Sequence, residues 1–133
     1  MSQQVSLIPK NVRKKVRELV KVFSQFVELN DEGSNVDILI KKDRNIGVLG
    51  CDYELVLHID NLNQELHYEL YCEDENGFGN EDLESYIQIK ITKHHENTVK
   101  IHMKYYGITH KQVIEVINEL INLLKNILTH IQY

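Results

Sequence analysis

Apolar side chains recur every three or four residues near the start of the chain, which is the spacing of one helix face. Pro9 suits a first helical turn, because the N–H that proline lacks is not needed there. The run from Asn30 to Ser34 is typical of a helix end. The sequence therefore predicts a first helix over residues 10–30, with an apolar stripe formed by Val12, Val16, Leu19, Phe23, Phe26 and Val27.

The hydrophobic period changes to two in the middle of the chain, which predicts β-strands. Val36, Ile38 and Ile40 alternate with other residues in the first strand. A long second strand is expected from Ile46 to Asp60, bent near its glycines. Further strands are expected over residues 64–72 and 85–93 and from Val99 onward. Their short connections favour antiparallel pairing, because parallel strands need long crossovers.

The segment Asn61-Leu62-Asn63 allows the pairing of strands two and three to be predicted. If Leu62 and Asn63 form a two-residue loop, Ile59 lies opposite Leu66 and Tyr53 lies opposite Cys72. The large apolar residues of both strands then share one face. On the other face, the same register places His58 directly opposite His67.

A second helix is expected over residues 110–131. Thr109 and Gln112 have the spacing of a capping box at its start. Its apolar residues cover about 180° of the circumference, whereas a usual stripe covers about 100°. One sheet does not cover so wide a stripe, so the neighbour is either the first helix or a second copy of the chain. The candidate dimer contacts recur every seven residues and are Ile114, Ile121 and Leu128.

Together these patterns predict one α+β domain over residues 1–133. A five-stranded antiparallel meander sheet lies between an N-terminal and a C-terminal amphipathic helix, in the order α-β-β-β-β-β-α. The apolar share of 42% and the charged share of 26% are ordinary for a globular domain.

Charge is distributed unevenly along this acidic chain, whose formal net charge is −5. Residues 1–21 contain six basic side chains and one acid. A nucleic-acid-binding protein is the alternative function, because lysine and arginine neutralise phosphates. Against it stand the overall acidity and the lack of a helix-turn-helix pattern. The basic face of the first helix consists of Lys10, Arg13, Lys14, Arg17 and Lys21.

Composition favours a cytoplasmic protein with reduced cysteines. No stretch reaches the roughly 20 apolar residues that span a bilayer, and no signal peptide is visible. In a strand pairing that includes both cysteines, Cys51 and Cys72 are diagonal neighbours about 7–8 Å apart, beyond the usual reach of a disulfide. The absence of alanine and tryptophan, together with abundant isoleucine, asparagine and lysine, indicates an AT-rich genome, such as that of a low-GC bacterium, a virus or a mobile element.

The outward sheet face carries tyrosines and histidines beside charged residues. Tyrosine is enriched where proteins bind one another, although an antiparallel sheet also tolerates a solvated face. Acidic residues fall on strands two and three, and lysines fall on strands four and five. The candidate binding residues of this face are Tyr71, Tyr86, Tyr106, His58, His67 and His102.

No pattern in the sequence identifies a reaction, a cofactor or a metal. The HExxH, CxxC and phosphate-loop motifs are absent, and the acidic connector over residues 73–84 lacks calcium-loop spacing. We therefore expect no catalytic residue, no cofactor and no metal. The favoured function is a non-catalytic protein-binding protein, such as an inhibitor, an adaptor or a chaperone-like regulator, that acts as a homodimer. An enzyme or metal protein built around the three outward histidines is a third class.

Overall fold

The computed structural model describes residues 8–29, 35–72, 85–93 and 98–131. It confirms the predicted α+β architecture, with one open sheet of five antiparallel strands in the order β1-β2-β3-β4-β5. The elements are helix α1 (Lys10–Leu29), strands β1 (Val36–Lys42), β2 (Tyr53–Asp60), β3 (Glu65–Cys72), β4 (Tyr86–Lys93) and β5 (Val99–Tyr106), and helix α2 (His110–Ile131).

Both helices begin where the sequence predicts. The Pro9 carbonyl accepts a hydrogen bond from the N–H of Arg13 at 3.0 Å, which places Pro9 just before α1. At the start of α2, Thr109 Oγ1 accepts from the N–H of Gln112 at 3.1 Å. Gln112 Oε1 in turn accepts from the N–H of Thr109 at 3.1 Å. This reciprocal pair is the predicted capping box, and it satisfies two backbone donors that the helix itself leaves free.

The predicted register of β2 and β3 is confirmed, with Ile59 opposite Leu66 and Tyr53 opposite Cys72. The connection covers residues 61–64, two more than the predicted loop. Asp60 stabilises it by accepting hydrogen bonds from the backbone and side-chain amides of Asn63. The longer turn leaves the register unchanged, because the last pair is Asp60 with Glu65, which keeps the predicted alignment.

Both helices pack on one face of the sheet and form a single core with it. They also contact each other. The second neighbour of α2 is therefore α1. Of the three candidate dimer contacts, Ile121 and Leu128 are only 4% and 8% exposed within the single chain, and Ile114 is partly buried. The wide apolar stripe is thus explained without a second copy, and homodimerisation stays a prediction.

The predicted start of the second strand is wrong. Strand β2 begins at Tyr53, and the preceding residues form turns and bends in which Ile46 is 76% exposed. Asp43 organises this loop, because its carbonyl accepts from the N–H groups of Ile46 and Gly47 at 3.0 Å. A Cβ built on Gly47 would lie 2.3 Å from the ring of Tyr53. The loop therefore packs directly against the core.

The prediction for the cysteines is also wrong. Cys51 and Cys72 form a disulfide, with their Cα atoms 5.8 Å apart. A diagonal separation of about 7–8 Å applies only if both residues lie in paired strands. Cys51 instead lies in the loop before β2, which brings it closer to the end of β3.

Neither described helix has the length and apolar character that a membrane crossing requires. The acidic connector over residues 73–84 and the turn over residues 94–97 lie outside the described residues.

Candidate functional site on the open sheet face

The sheet face opposite the helices is the candidate functional site, and we call it the open face. Alternation along each strand assigns side chains to it. No described helix packs on this face, and large apolar side chains remain accessible there. Leu39 is 61% exposed and Tyr106 is 62% exposed. Exposed apolar side chains that lie close together on a compact domain often mark an interaction site.

Three tyrosines lie side by side across strands β3, β4 and β5. The register pairs Tyr71 with Tyr86 and Tyr86 with Tyr106. The rings of Tyr86 and Tyr106 stack with their centroids 6.3 Å apart. Lys104 Nζ lies 5.8 Å from the centroid of Tyr86, within the range of a cation–π contact. This tyrosine row is partly ordered by its own contacts.

Histidines form a second row across the sheet. In the strand register, His58 lies opposite His67, and Lys90 lies opposite both His67 and His102. His58 Nδ1 lies 2.5 Å from Asp37 Oδ1. The three predicted histidines therefore share the open face with the tyrosine row, although His58 and His67 contact different carboxylates.

Glu69 connects the histidine row to the tyrosine row. Its Oε1 lies 2.7 Å from His67 Nε2, and its Oε2 accepts a hydrogen bond from the Tyr71 hydroxyl at 2.7 Å. Gln88 Nε2 donates to the same hydroxyl at 3.1 Å. Partial burial opposes ionisation of Glu69, but the contacts with His67 and Tyr71 hold the pKa of this carboxyl below its ordinary value. The centre of the open face is therefore an ordered polar network.

An apolar pair lies beside this network. Leu39 and Val56 are opposite each other on β1 and β2, and Val56 is opposite Glu69. Both apolar side chains are exposed. They extend the contact surface from the tyrosine row toward the edge of the sheet.

Acidic residues predominate on the β2 and β3 side of the open face and lysines on the β5 side, although Lys41 of β1 lies opposite Glu54. Glu54 and Glu65 lie on β2 and β3, whereas Lys100 and Lys104 lie on β5. Lys90 Nζ contacts Glu65 Oε1 at 3.4 Å, where the two sides meet. A bound partner would therefore meet an acidic side and a basic side.

The basic face of α1 lies on the other side of the sheet. Lys10, Lys14, Arg17 and Lys21 are exposed, whereas Arg13 is partly buried. Arg13 and Arg17 line a cavity of about 220 Å³ with Ile101 and Met103 of β5. The Nε atom of Arg13 is buried and has no hydrogen-bond partner among the described residues. The basic face of α1 therefore extends partly over the sheet instead of pointing entirely into solvent.

Sequence reasoning missed Glu119, a carboxylate within the apolar stripe of α2. Its Oε2 accepts a hydrogen bond from the hydroxyl of Tyr53 at 3.2 Å. Burial, followed by the negative charge of Glu119, raises the pKa of Tyr53 to about 12. Burial likewise raises the pKa of Tyr68. The spacing in the sequence could have revealed this residue, because Glu119 lies three residues after Val116 and four before Leu123, on the same helix face.

Among the described residues, no three or more histidine, cysteine or acidic side chains converge in a way that could hold a metal ion. Comparison with protein-family models, with curated proteins and with solved structures finds no match for this chain.

Proposed function

We propose that this chain is a non-catalytic protein-binding protein whose partner docks on the open face. The observation that carries the proposal is the exposed Leu39–Val56 pair beside the ordered row of Tyr71, Tyr86 and Tyr106. Tyrosine offers a large apolar contact area with a polar hydroxyl and is enriched at interfaces. Inhibitor, adaptor and chaperone-like regulator are all roles that such a surface supports.

Side chains at the centre of the open face are held in place before any partner docks, and this favours binding. Contacts with Glu69 already restrain the side chains of His67 and Tyr71. Fewer rotamers are then lost when a partner docks, so less of the binding free energy is offset by entropy. The separated acidic and basic sides orient a partner that carries the opposite arrangement of charges.

Affinity capture from the source cell tests the proposal with two matched variants. The open-face variant combines Val56→Asp with Tyr106→Ala, and the control combines Lys14→Glu with Arg17→Glu. We expect the protein captured by the wild type to be retained by the control and lost by the open-face variant. Thermal unfolding of both variants verifies that each is folded. Undiminished capture by the folded open-face variant would contradict the proposal.

A nucleic-acid-binding function is the second candidate, favoured by four exposed basic residues on one side of α1. It predicts binding that weakens steeply as salt rises, because phosphate contacts release counterions. The Lys14→Glu and Arg17→Glu double variant should abolish that binding. Retained affinity for nucleic acid in the double variant would eliminate this candidate.

A cytoplasmic location belongs to the proposal as well. Reducing compartments keep protein thiols reduced, whereas the structure contains the Cys51–Cys72 disulfide. The redox state of this pair in the source cell therefore tests the location. Alkylation of intact cells followed by mass spectrometry measures this. A fully bonded pair after such trapping would argue against a cytoplasmic location.

A further inference from the structure

A cavity on the helix side of the sheet has the features of a small-molecule site. It lies between α2 and strands β1, β2 and β3, and its volume is about 380 Å³. Known ligand sites have volumes of roughly 300–1,000 Å³ and combine an apolar wall with a few polar groups. Here the wall includes Ile40, Leu55 and Leu123, and the polar groups include Lys42, Glu119 and Asn122.

The carboxylate of Glu119 lines this cavity and can accept further hydrogen bonds. One oxygen of its carboxylate accepts from Tyr53, a neutral hydroxyl whose ring is fully buried. No cationic side chain pairs with Glu119 in the part of the chain that the structure describes. A partly buried carboxylate is stabilised by a cation that replaces the water it has lost.

Lys42 supplies the complementary charge on the other wall. It is the last residue of β1 and follows Val36, Ile38 and Ile40 on the helix side of the strand. Its side chain is partly buried. None of the ion pairs between described residues includes Lys42. The cavity thus contains one anion and one cation that do not pair with each other.

We propose that this cavity binds a small aliphatic zwitterion of the amino-acid type. The ammonium group of the ligand pairs with Glu119, its carboxylate pairs with Lys42, and its side chain packs against the wall formed by Ile40 and Leu123. A zwitterion satisfies both charges at once, whereas a ligand with one charge leaves the other protein charge unpaired. This site is independent of the open face, which lies on the opposite side of the sheet.

Titration calorimetry with leucine tests the charge requirement. Two probes each lack one charge: 3-methylbutylamine has no carboxylate, and 4-methylpentanoate has no ammonium group. We expect leucine to bind at least about tenfold more tightly than either, because each probe leaves one charge uncompensated. Valine, isoleucine and methionine extend the panel to other aliphatic side chains.

Two conservative variants test which charged group of the ligand contacts Glu119 and which contacts Lys42. Glu119→Gln keeps the size of the side chain and an acceptor for Tyr53, and Lys42→Met keeps an apolar stem of similar length. Each should weaken leucine binding by about tenfold or more. Glu119→Gln should spare 4-methylpentanoate, and Lys42→Met should spare 3-methylbutylamine. Lys41→Met is the matched control, because residue 41 is exposed and lies on the open face.

The proposal is overturned if the folded wild-type protein binds none of the four amino acids at concentrations up to about 10 mM, where even weak sites fill. It is also overturned if both Glu119→Gln and Lys42→Met bind leucine as tightly as the wild type does. In either case the cavity holds only water or serves another ligand class. The Lys41→Met protein must bind leucine as the wild type does.

Discussion

Tyr71 donates a hydrogen bond to Glu69 over 2.7 Å, although the two residues lie on the same strand. Residues two apart on a strand share a face, so their side chains can meet without any contribution from a neighbouring strand. This contact joins the tyrosine row to the histidine row. The open face is consequently one connected surface instead of a set of separate side chains.

Glu69 should make stability depend on pH in acid. Its pKa is lower in the folded protein, so its contribution is present above the ordinary glutamate pKa of about 4.3 and is lost as pH falls through the folded value. Urea unfolding at pH 7 and at lower pH should show a steeper acid loss for the wild type than for Glu69→Gln. Equal pH dependence of the two proteins would contradict this role.

The disulfide should contribute strongly to stability under oxidising conditions. Cys51 and Cys72 are 21 residues apart, and closing a loop of this size typically raises the free energy of unfolding by about 2–4 kcal/mol. We expect Cys51→Ser to lose about that amount. The difference from the wild type should shrink greatly when both proteins are unfolded in a thiol reductant. A difference that persists in reductant would assign the loss to packing.

Two glycines in the loop before β2 provide a matched pair of substitutions. A Cβ at residue 47 would meet the ring of Tyr53 at 2.3 Å, whereas a Cβ at residue 50 meets nothing within 4 Å. Since Tyr53 is fully buried, its ring has little room to move. Gly47→Ala should therefore cost about 1–3 kcal/mol, and Gly50→Ala should be nearly neutral. Thermal unfolding measures both, and equal effects would contradict the packing of this loop.

The capping box of α2 should be worth about 1 kcal/mol. Thr109→Ala removes the hydroxyl that accepts from the N–H of Gln112, and loss of such a cap typically costs about 0.5–2 kcal/mol. Thr109→Ser keeps the acceptor and should retain most of the stability. Equal losses in the two variants, measured by urea unfolding, would argue against the cap.

Local patterns were sufficient to predict most of the sheet. In β2 and β3, strict alternation and a short loop agree on one register, and a shift of one residue would turn Leu57 and Tyr68 into solvent. The same alternation predicts which residues share the open face. It holds because side-chain alternation is a property of the strand itself.

The loop before β2 could not be predicted in this way. Its apolar residues Ile46, Val48 and Leu49 suggest a strand, but only Leu49 is fully buried. The close approach of Gly47 to Tyr53 and the bond between Cys51 and Cys72 decide its path. The disulfide joins residues 21 apart in sequence, and the Gly47 contact depends on how the Tyr53 side chain packs. Local periodicity carries no information about either contact.

The same limit applies to the functional residues. Alternation predicts that Tyr71, His67 and Glu69 share a face, but not that Glu69 contacts both of the others. The cavity that contains Lys42 and Glu119 depends on where α2 crosses the sheet. No spacing in either segment encodes that crossing.

Site-specific photocrosslinking tests the open face most directly. A photoreactive phenylalanine analogue replaces Tyr106, the most exposed of the three tyrosines in the row, and in a second protein it replaces Lys21 on α1. After irradiation in extracts of the source cell, binding through the open face predicts a defined crosslinked protein from position 106 and none from position 21. Crosslinking from position 21 alone, or from neither position in folded protein, would contradict binding through the open face.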